Sequence, residues 1–458
     1  MRNNFGEFLR LQMKENILQG KWPRVVIALL LLASAGEFVM RGPVRLLRHG
    51  TTWNDFLSPY IQAKAWVHGS DPYRPQSLIS FWPPDNERPP WVDDEASSGR
   101  LERKRGMPSP YPLPSLVIMA ALTALPWTTA VTVWTVLSTV AVLLAVLALL
   151  SISGCRLTEL RSQLFVAAAL ALAPLHTGLG TANPAILAVS LAVLSHWAAC
   201  NSQEKTAGFL LAIAICLKPT VAGGLLVYYL VRRRWRLAAI TCLVAALITG
   251  IGAARLAMVG AHWWASYAEN TRRMFSTGSV NDFTSSARLR FDMINVQILL
   301  GDFVNSSIVV NVVSRLLAAG LLVLWFWGCL KHRSQTGLLE ISAVLVLSMV
   351  GVYHRFYDAA LLIWPLAWSI LLVKRTWITG LTLAAVAPFF IPGQAMLAEF
   401  TRSGEVSTSV TRSWWWNGII LPHQAWVLLL LTVLLLIFMV GTLPEGAPSE
   451  EPVQRGIC

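Results

Sequence analysis

The chain has 458 residues, 55% of them hydrophobic and only 13% charged, with a mean hydropathy of +0.55 and a formal net charge of +13. Apolar content this high and this evenly spread excludes a single soluble core and reads as an all-α, polytopic integral membrane protein. The positive charge comes in short clusters between apolar runs, where it sets membrane orientation, and the sequence holds no nucleic-acid-binding module.

Residues 1–24 carry Arg2, Arg10, Lys14, Lys21 and Arg24, which keep this end in the cytoplasm by the positive-inside tendency. The first apolar run, Val25 to Met40, then crosses outward. Ala33-Ser34-Ala35 resembles a signal-peptidase site, but the long basic region before it and the many spans after it favour an uncleaved helix. Residues 41–113 form a large first outer loop. Within it, Ser58 is a good N-cap, Pro59 suits the first helical position and Gly69 closes a short juxtamembrane helix, which leaves Asn54 and Asp55 just ahead of that helix. Asp55 has two readings at this level: a turn cap or arginine partner, or a reacting carboxylate. The stretch from Asp93 to Arg105 is irregular, and Asp93-Asp94-Glu95 reads as a solvated charge run.

Leu116 to Leu125 is too short to span and is placed as a re-entrant or interfacial helix ending at Pro126. Trp127 to Leu150 crosses inward, Leu164 to Leu179 returns, Gly180 to Asn183 turns, and Pro184 to Ala199 goes back in. Between Ala207 and Arg232-Arg233-Arg234-Trp235-Arg236, a single span would bury Lys218 at mid-bilayer. That costs several kcal/mol, and Pro219 disfavours helical geometry at Lys218, so two short helices meet at Lys218-Pro219, with the lysine at the outer end. Leu237 to Met258 goes out to a second outer region, 259–306. Ile308 to Leu330 goes in, Leu338 to Tyr353 out, Asp358 to Val373 in, and Trp377 to Ile391 out to a third outer loop, 392–424. Ala425 to Val440 ends at a cytoplasmic tail, 443–458, giving about 12 crossings with both termini inside.

This drawing brings Asp55, Asn183, Lys218, Arg272, His354 and Arg355 to one outer face. Ionisable residues at membrane depth are functional candidates because their desolvation is expensive. His354 and Arg355, in Tyr353-His354-Arg355-Phe356-Tyr357-Asp358, suit either a phosphate or an interfacial turn. Lys218 suits a phosphate or snorkelling, and Asn183 a hydroxyl or a cap ahead of Pro184. Arg272, Arg273, Arg288 and Arg290 are weaker, because outer-loop arginines are usually solvated. The 20 Trp fit membrane interfaces and core packing, with Trp263-Trp264 and Trp414-Trp415-Trp416 also able to line a cavity. The six cysteines lie in or beside apolar segments, which argues against a disulfide framework or a Cys metal site. Walker, dinucleotide, G-x-S-x-G and HExxH motifs are all missing from the sequence.

Several stretches in order, NDFLSPYIQAKAWVHGSDPY, YPLPSL, LGTANPAILAVSLAVLSHWA, AGFLLAIAICLKPTVAGGLLVYYLVRRRWR and YHRFYDAALLIWP, together resemble the glycosyltransferase family 87 proteins over most of residues 25–375. The resemblance implies a membrane-embedded enzyme of GT-C architecture. It also implies an inverting, hexosyltransferase activity of the α-mannosyltransferase type that takes a sugar from a polyprenyl-phosphate donor at the outer face, for a lipid or glycan acceptor, with no cofactor. Asp55 maps onto the family's base, Lys218-Pro219 onto its Lys-Pro pair, and His354, with Arg355, onto the group near the donor phosphate. Asn54, Tyr60, Gln62, Asn183 and Arg272 are assigned to substrate. Thr181-Ala182-Asn183 departs from an expected Gln-x-Asn, and Tyr-Pro-Leu-Pro at 111–114 from Tyr-Pro-Pro. A carboxylate opposite a cationic set suits inversion, since a leaving lipid phosphate needs charge stabilisation more than a general acid. Two other readings stand beside this one: a transporter or flippase of lipid-linked sugars, against which the lack of a clear internal repeat counts, and a noncatalytic subunit of the same fold.

Overall fold

The computed structural model describes residues 21–49, 54–83, 110–285, 287, 289–304, 306–331 and 336–441. The readings given above for Arg2, Arg10, Lys14, Asp93 to Arg105, Arg288 and the tail 443–458 lie outside these residues. Every regular element among the described residues is helical, and extended backbone pairs at a single isolated bridge, Met293 with Arg355.

Among the described residues, six helices are long and apolar enough to cross a membrane: Trp22–Arg48, Trp127–Ile152, Trp235–Met258, Ser307–Lys331, Thr376–Ser403 and His423–Val440. A seventh candidate is the pair Leu160–Ala171 and Ala173–Gly180, bent by 45° at Leu172, whose backbone leaves the helical region just ahead of Pro174. Shorter apolar helices fill the remaining positions: Leu113–Ala124, Pro184–Cys200, Pro219–Val231, Leu338–Gly351 and Phe356–Leu372. The long helices turn Leu and Val side chains outward, as Leu243 (71% exposed) and Leu316 (67%) do, which is the arrangement expected of lipid-facing surface. Of the short ones, Leu338–Gly351 is among the most enclosed, with Leu338 to Leu347 buried at every position.

The chain breaks where a breaker residue demands it. Helix Glu204–Leu217 stops at Lys218, which takes an extended conformation, and Pro219 opens helix Pro219–Val231 at its first position. Leu113–Met119, continued as a 3₁₀ turn to Ala124, ends before Pro126. Gly69 closes the juxtamembrane helix with φ +74, a conformation open to glycine at little cost.

One local expectation is corrected. The juxtamembrane helix runs Leu57–Val67, so Ser58 lies inside it and is not its cap. The side chain of Asn54 takes that role, with Oδ1 accepting from the amides of Phe56 (3.1 Å) and Leu57 (3.0 Å). The outer stretch 392–424 contains the amphipathic helix Gly393–Ser403, pinned by Gln394, whose Nε2 donates to the carbonyls of Phe291 (3.0 Å) and Met293 (2.7 Å).

At the end of helix Pro219–Val231 away from Lys218, Arg232 meets the fully buried Glu340 and also donates to the Cys329 carbonyl at 3.1 Å. Thirteen helical residues separate these ends, roughly 20 Å at 1.5 Å per residue. The basic cluster and the site described next therefore occupy opposite ends of the bundle.

Candidate active site

Asp55 is held from two directions. Its amide donates to the Thr181 carbonyl at 2.7 Å, and its Oδ2 accepts from Asn183 Nδ2 at 2.8 Å. Asn183 has a second task, because its Oδ1 accepts the Ala185 amide at 2.9 Å and so caps helix Pro184–Cys200. The Thr181-Ala182-Asn183 turn is rigid: Ala182 sits at φ +53, and its carbonyl accepts the indole N–H of Trp134 at 3.0 Å. Phe56 stacks on Trp127 and Trp134, which fixes the residue after Asp55 against the same helix. The half-buried carboxylate thus has a set position while keeping surface open.

A second cluster forms around Asp358, which is 1% exposed. Its Oδ1 accepts from Lys218 Nζ at 2.6 Å, and its Oδ2 meets His354 Nδ1 at 3.1 Å and the Arg355 amide at 3.1 Å. His354 is fully buried, and its Nε2 has no hydrogen-bond partner. Arg355 donates to Tyr353 Oη (2.7 Å), the Val280 carbonyl (3.2 Å) and Asn281 Oδ1 (3.1 Å), all neutral acceptors. The second outer region is tied down beside it, since the amides of Ile294 and Val296 donate to the carbonyls of His354 and Val350, each at 3.1 Å. Within that region burial raises the Asp292 carboxyl above the usual range, against the pull of Arg355 and Arg402.

The two clusters are linked through shared tyrosines. Tyr357 lies with its ring 4.5 Å from Lys218 Nζ, and its Cβ packs over Gly178, which lies three residues before Thr181 and whose carbonyl accepts the Asn183 amide at 2.8 Å. Tyr111 donates from Oη to the Asp55 carbonyl at 3.3 Å. Burial, reinforced by Asp55, Tyr353 and Asp358, pushes the Tyr111 phenol well above its ordinary range, so both carboxylates lie close enough to act on it. Tyr111, Tyr353, Tyr357 and Arg355 are deep in the molecule yet keep part of their surface open, as side chains lining a hollow do. Helices Pro184–Cys200 and Pro219–Val231 also begin here, directing the positive ends of their dipoles toward the site.

The structure therefore brings Asp55, Asn183, Lys218, His354 and Arg355 together. Arg272 stands apart, turned back on Glu269 at 2.8 Å on an exposed helix face. Tyr60 gives its hydroxyl to the Leu125 carbonyl at 3.0 Å, and Gln62 is fully buried in the juxtamembrane helix, so both shape the loop that carries Asp55. Asp358 is the residue that sequence reasoning passed over. The signal was present, since it is an acidic residue opening an apolar run, but its partner Lys218 lies 140 positions away. Among the described residues no three His, Cys, Asp or Glu side chains gather as a metal-ligand set would require.

The profile of Glycosyltransferase family 87 matches residues 110–353, just over half of the chain. The chain belongs to glycosyltransferase family 87. It is thus a multi-pass membrane glycosyltransferase, whose substrates are a sugar donor and an acceptor. The matched region carries Tyr111, Asn183, Lys218 and Tyr353, while Asp55 lies before it and His354, Arg355 and Asp358 directly after it. No curated protein and no solved structure matches the chain.

Proposed function

We propose that the chain is an inverting glycosyltransferase of GT-C type. It transfers a hexose or pentose, with mannose the first choice, from a polyprenyl-phosphate donor to a lipid or glycan acceptor at the outer face of the cytoplasmic membrane. About 12 crossings would place both termini inside. What supports this reading is Asp55, its carboxylate fixed by Asn183 and its carbonyl met by Tyr111, beside the cluster of Lys218, His354, Arg355 and Asp358.

Asp55 takes the proton of the acceptor hydroxyl as its oxygen attacks the anomeric carbon from the face opposite the phosphate. The bond between anomeric carbon and phosphate oxygen breaks, the electron pair stays on that oxygen, and the anomeric configuration inverts. Charge growing on the lipid phosphate is met by the Arg355 guanidinium, by Lys218, by the open Nε2 of His354 when it carries a proton, and by the two helix N-termini. One carboxylate suffices, because phosphate is a better leaving group than the alkoxide a glycosidase must protonate. Tyr111, Tyr353 and Tyr357 give the site aromatic walls able to stack on a sugar ring.

The test is a transfer assay with purified protein, polyprenyl-phosphate mannose and an extract of envelope lipids, the anomeric configuration of the product being read by NMR. A product with retained configuration rejects the single-displacement chemistry. Movement of the donor between leaflets with no new glycosidic bond favours a flippase.

A further inference from the structure

Resting on that reading of the site, we infer that Asp358 is the resident counter-anion of the phosphate-binding cations, weakening their hold on phosphate enough for the spent lipid phosphate to leave. Three observations converge on it. Asp358 is buried at the meeting point of Lys218, His354 and the Arg355 amide, at 2.6, 3.1 and 3.1 Å. An ammonium drawn this far into the protein without an anion would be strongly disfavoured, so the carboxylate cancels its charge while the site is empty.

The pairing does not use up the donors. Lys218 has three ammonium hydrogens and spends one on Asp358, and 18% of its side chain remains open. His354 is fully buried with Nε2 unpartnered. A buried polar atom without a partner calls for an explanation, and beside the open ammonium of Lys218 a ligand atom is one that fits. A phosphate oxygen accepting from Lys218 and from Nε2–H of a protonated His354 would fill that role without displacing Asp358.

The chemistry explains why a counter-anion belongs there. A polyprenyl-phosphate sugar is a diester with one negative charge, whereas the leaving polyprenyl phosphate is a monoester approaching two at neutral pH. Cations that stabilise the leaving group therefore grip the product more tightly than the donor. With Asp358 in place, Lys218 and Asp358 sum to zero, and what attraction is left comes from Arg355, which also has Asp292 nearby, and from His354 when it carries a proton. Donors for orientation are kept while net attraction is limited.

Binding of farnesyl phosphate to purified full-length protein in detergent, followed by tryptophan fluorescence with farnesol as the uncharged control, tests this. Asp358→Asn should bind farnesyl phosphate about tenfold or more tightly than the wild type, as expected for deleting one like charge a few ångströms from the ligand. Farnesol binding should not change, and Asp358→Glu should stay near the wild type. Unchanged or weaker phosphate binding by Asp358→Asn overturns the inference. If Asp358→Asn does not fold, Lys218→Met leaves the carboxylate unpaired, and Lys218→Met/Asp358→Asn should bind farnesyl phosphate more tightly than Lys218→Met alone. Equal affinities overturn the inference again. A wild-type protein that does not prefer farnesyl phosphate over farnesol refutes the polyprenyl-phosphate reading itself.

Discussion

Asn183 performs two tasks that two substitutions can separate. Its Oδ1 caps helix Pro184–Cys200 through the Ala185 amide at 2.9 Å, while its Nδ2 holds the Asp55 carboxylate at 2.8 Å. Asn183→Ala removes both. Losing the cap costs about 1 kcal/mol of stability, and losing a hydrogen bond to a charged group costs about 1.5–3 kcal/mol of positioning. Because Asp55 is half-buried, water can replace the lost amide in the folded protein, so the second loss should fall on transfer more than on stability. Asn183→Ser keeps a side-chain acceptor at the cap but is too short to reach Asp55. Transfer should therefore drop roughly 10- to 100-fold in both variants, at about 1.4 kcal/mol per tenfold. Thermal unfolding in detergent, followed by tryptophan emission, should show Asn183→Ser recovering about 1 kcal/mol over Asn183→Ala. Wild-type turnover in Asn183→Ser would reduce Asn183 to a cap and refute its part in placing Asp55.

Arg355→Lys should raise the donor KM at least tenfold, since an ammonium cannot reproduce the contacts to Tyr353, Val280 and Asn281; an unchanged donor KM would remove Arg355 from the phosphate. At the far end of the bundle, Glu340→Gln removes the charge that the half-buried Arg232 meets and should cost about 1.5–3 kcal/mol in unfolding experiments. Paired with Arg232→Met, part of that loss should return. Gly337 sits at φ +68, and a Cβ there would land on the Tyr228 hydroxyl, so Gly337→Ala should lower the unfolding temperature while leaving the donor KM alone. The folded pKa of Tyr111 lies above its unfolded value, so the unfolded chain ionises first and stability is lost only as pH climbs past about 10. Tyr111→Phe should make the alkaline fall in unfolding temperature shallower, and an identical fall would contradict the shift.

Where local chemistry decides structure, the sequence was legible. Pro219 after a lysine ended one helix and began the next, Asn183 before Pro184 announced a capped helix start, and Gly69 closed the juxtamembrane helix. Lys218 and His354 stood out because each interrupts an apolar pattern that could otherwise continue, while Asp55 was singled out by its place ahead of the juxtamembrane helix. What escaped were choices made between distant or competing groups. Asn54 and Ser58 are both competent caps, and the side chain of Asn54 prevailed because the helix starts before Ser58. Asp358 carries no local signal naming Lys218 as its partner, and Arg272 found Glu269 one turn away on its own helix. The kink at Leu172 followed from Pro174, which a single uninterrupted apolar count passed over.

The base role of Asp55 is tested most directly by Asp55→Asn, which keeps the side chain's size but removes its ability to accept a proton. Purified variant and wild type are compared for sugar transfer from a polyprenyl-phosphate donor and, separately, for farnesyl phosphate binding. The expected result is transfer reduced about a thousandfold or more, within the range of general-base catalysis combined with lost orientation, with phosphate binding unchanged. Turnover by Asp55→Asn within a few-fold of the wild type would contradict the account.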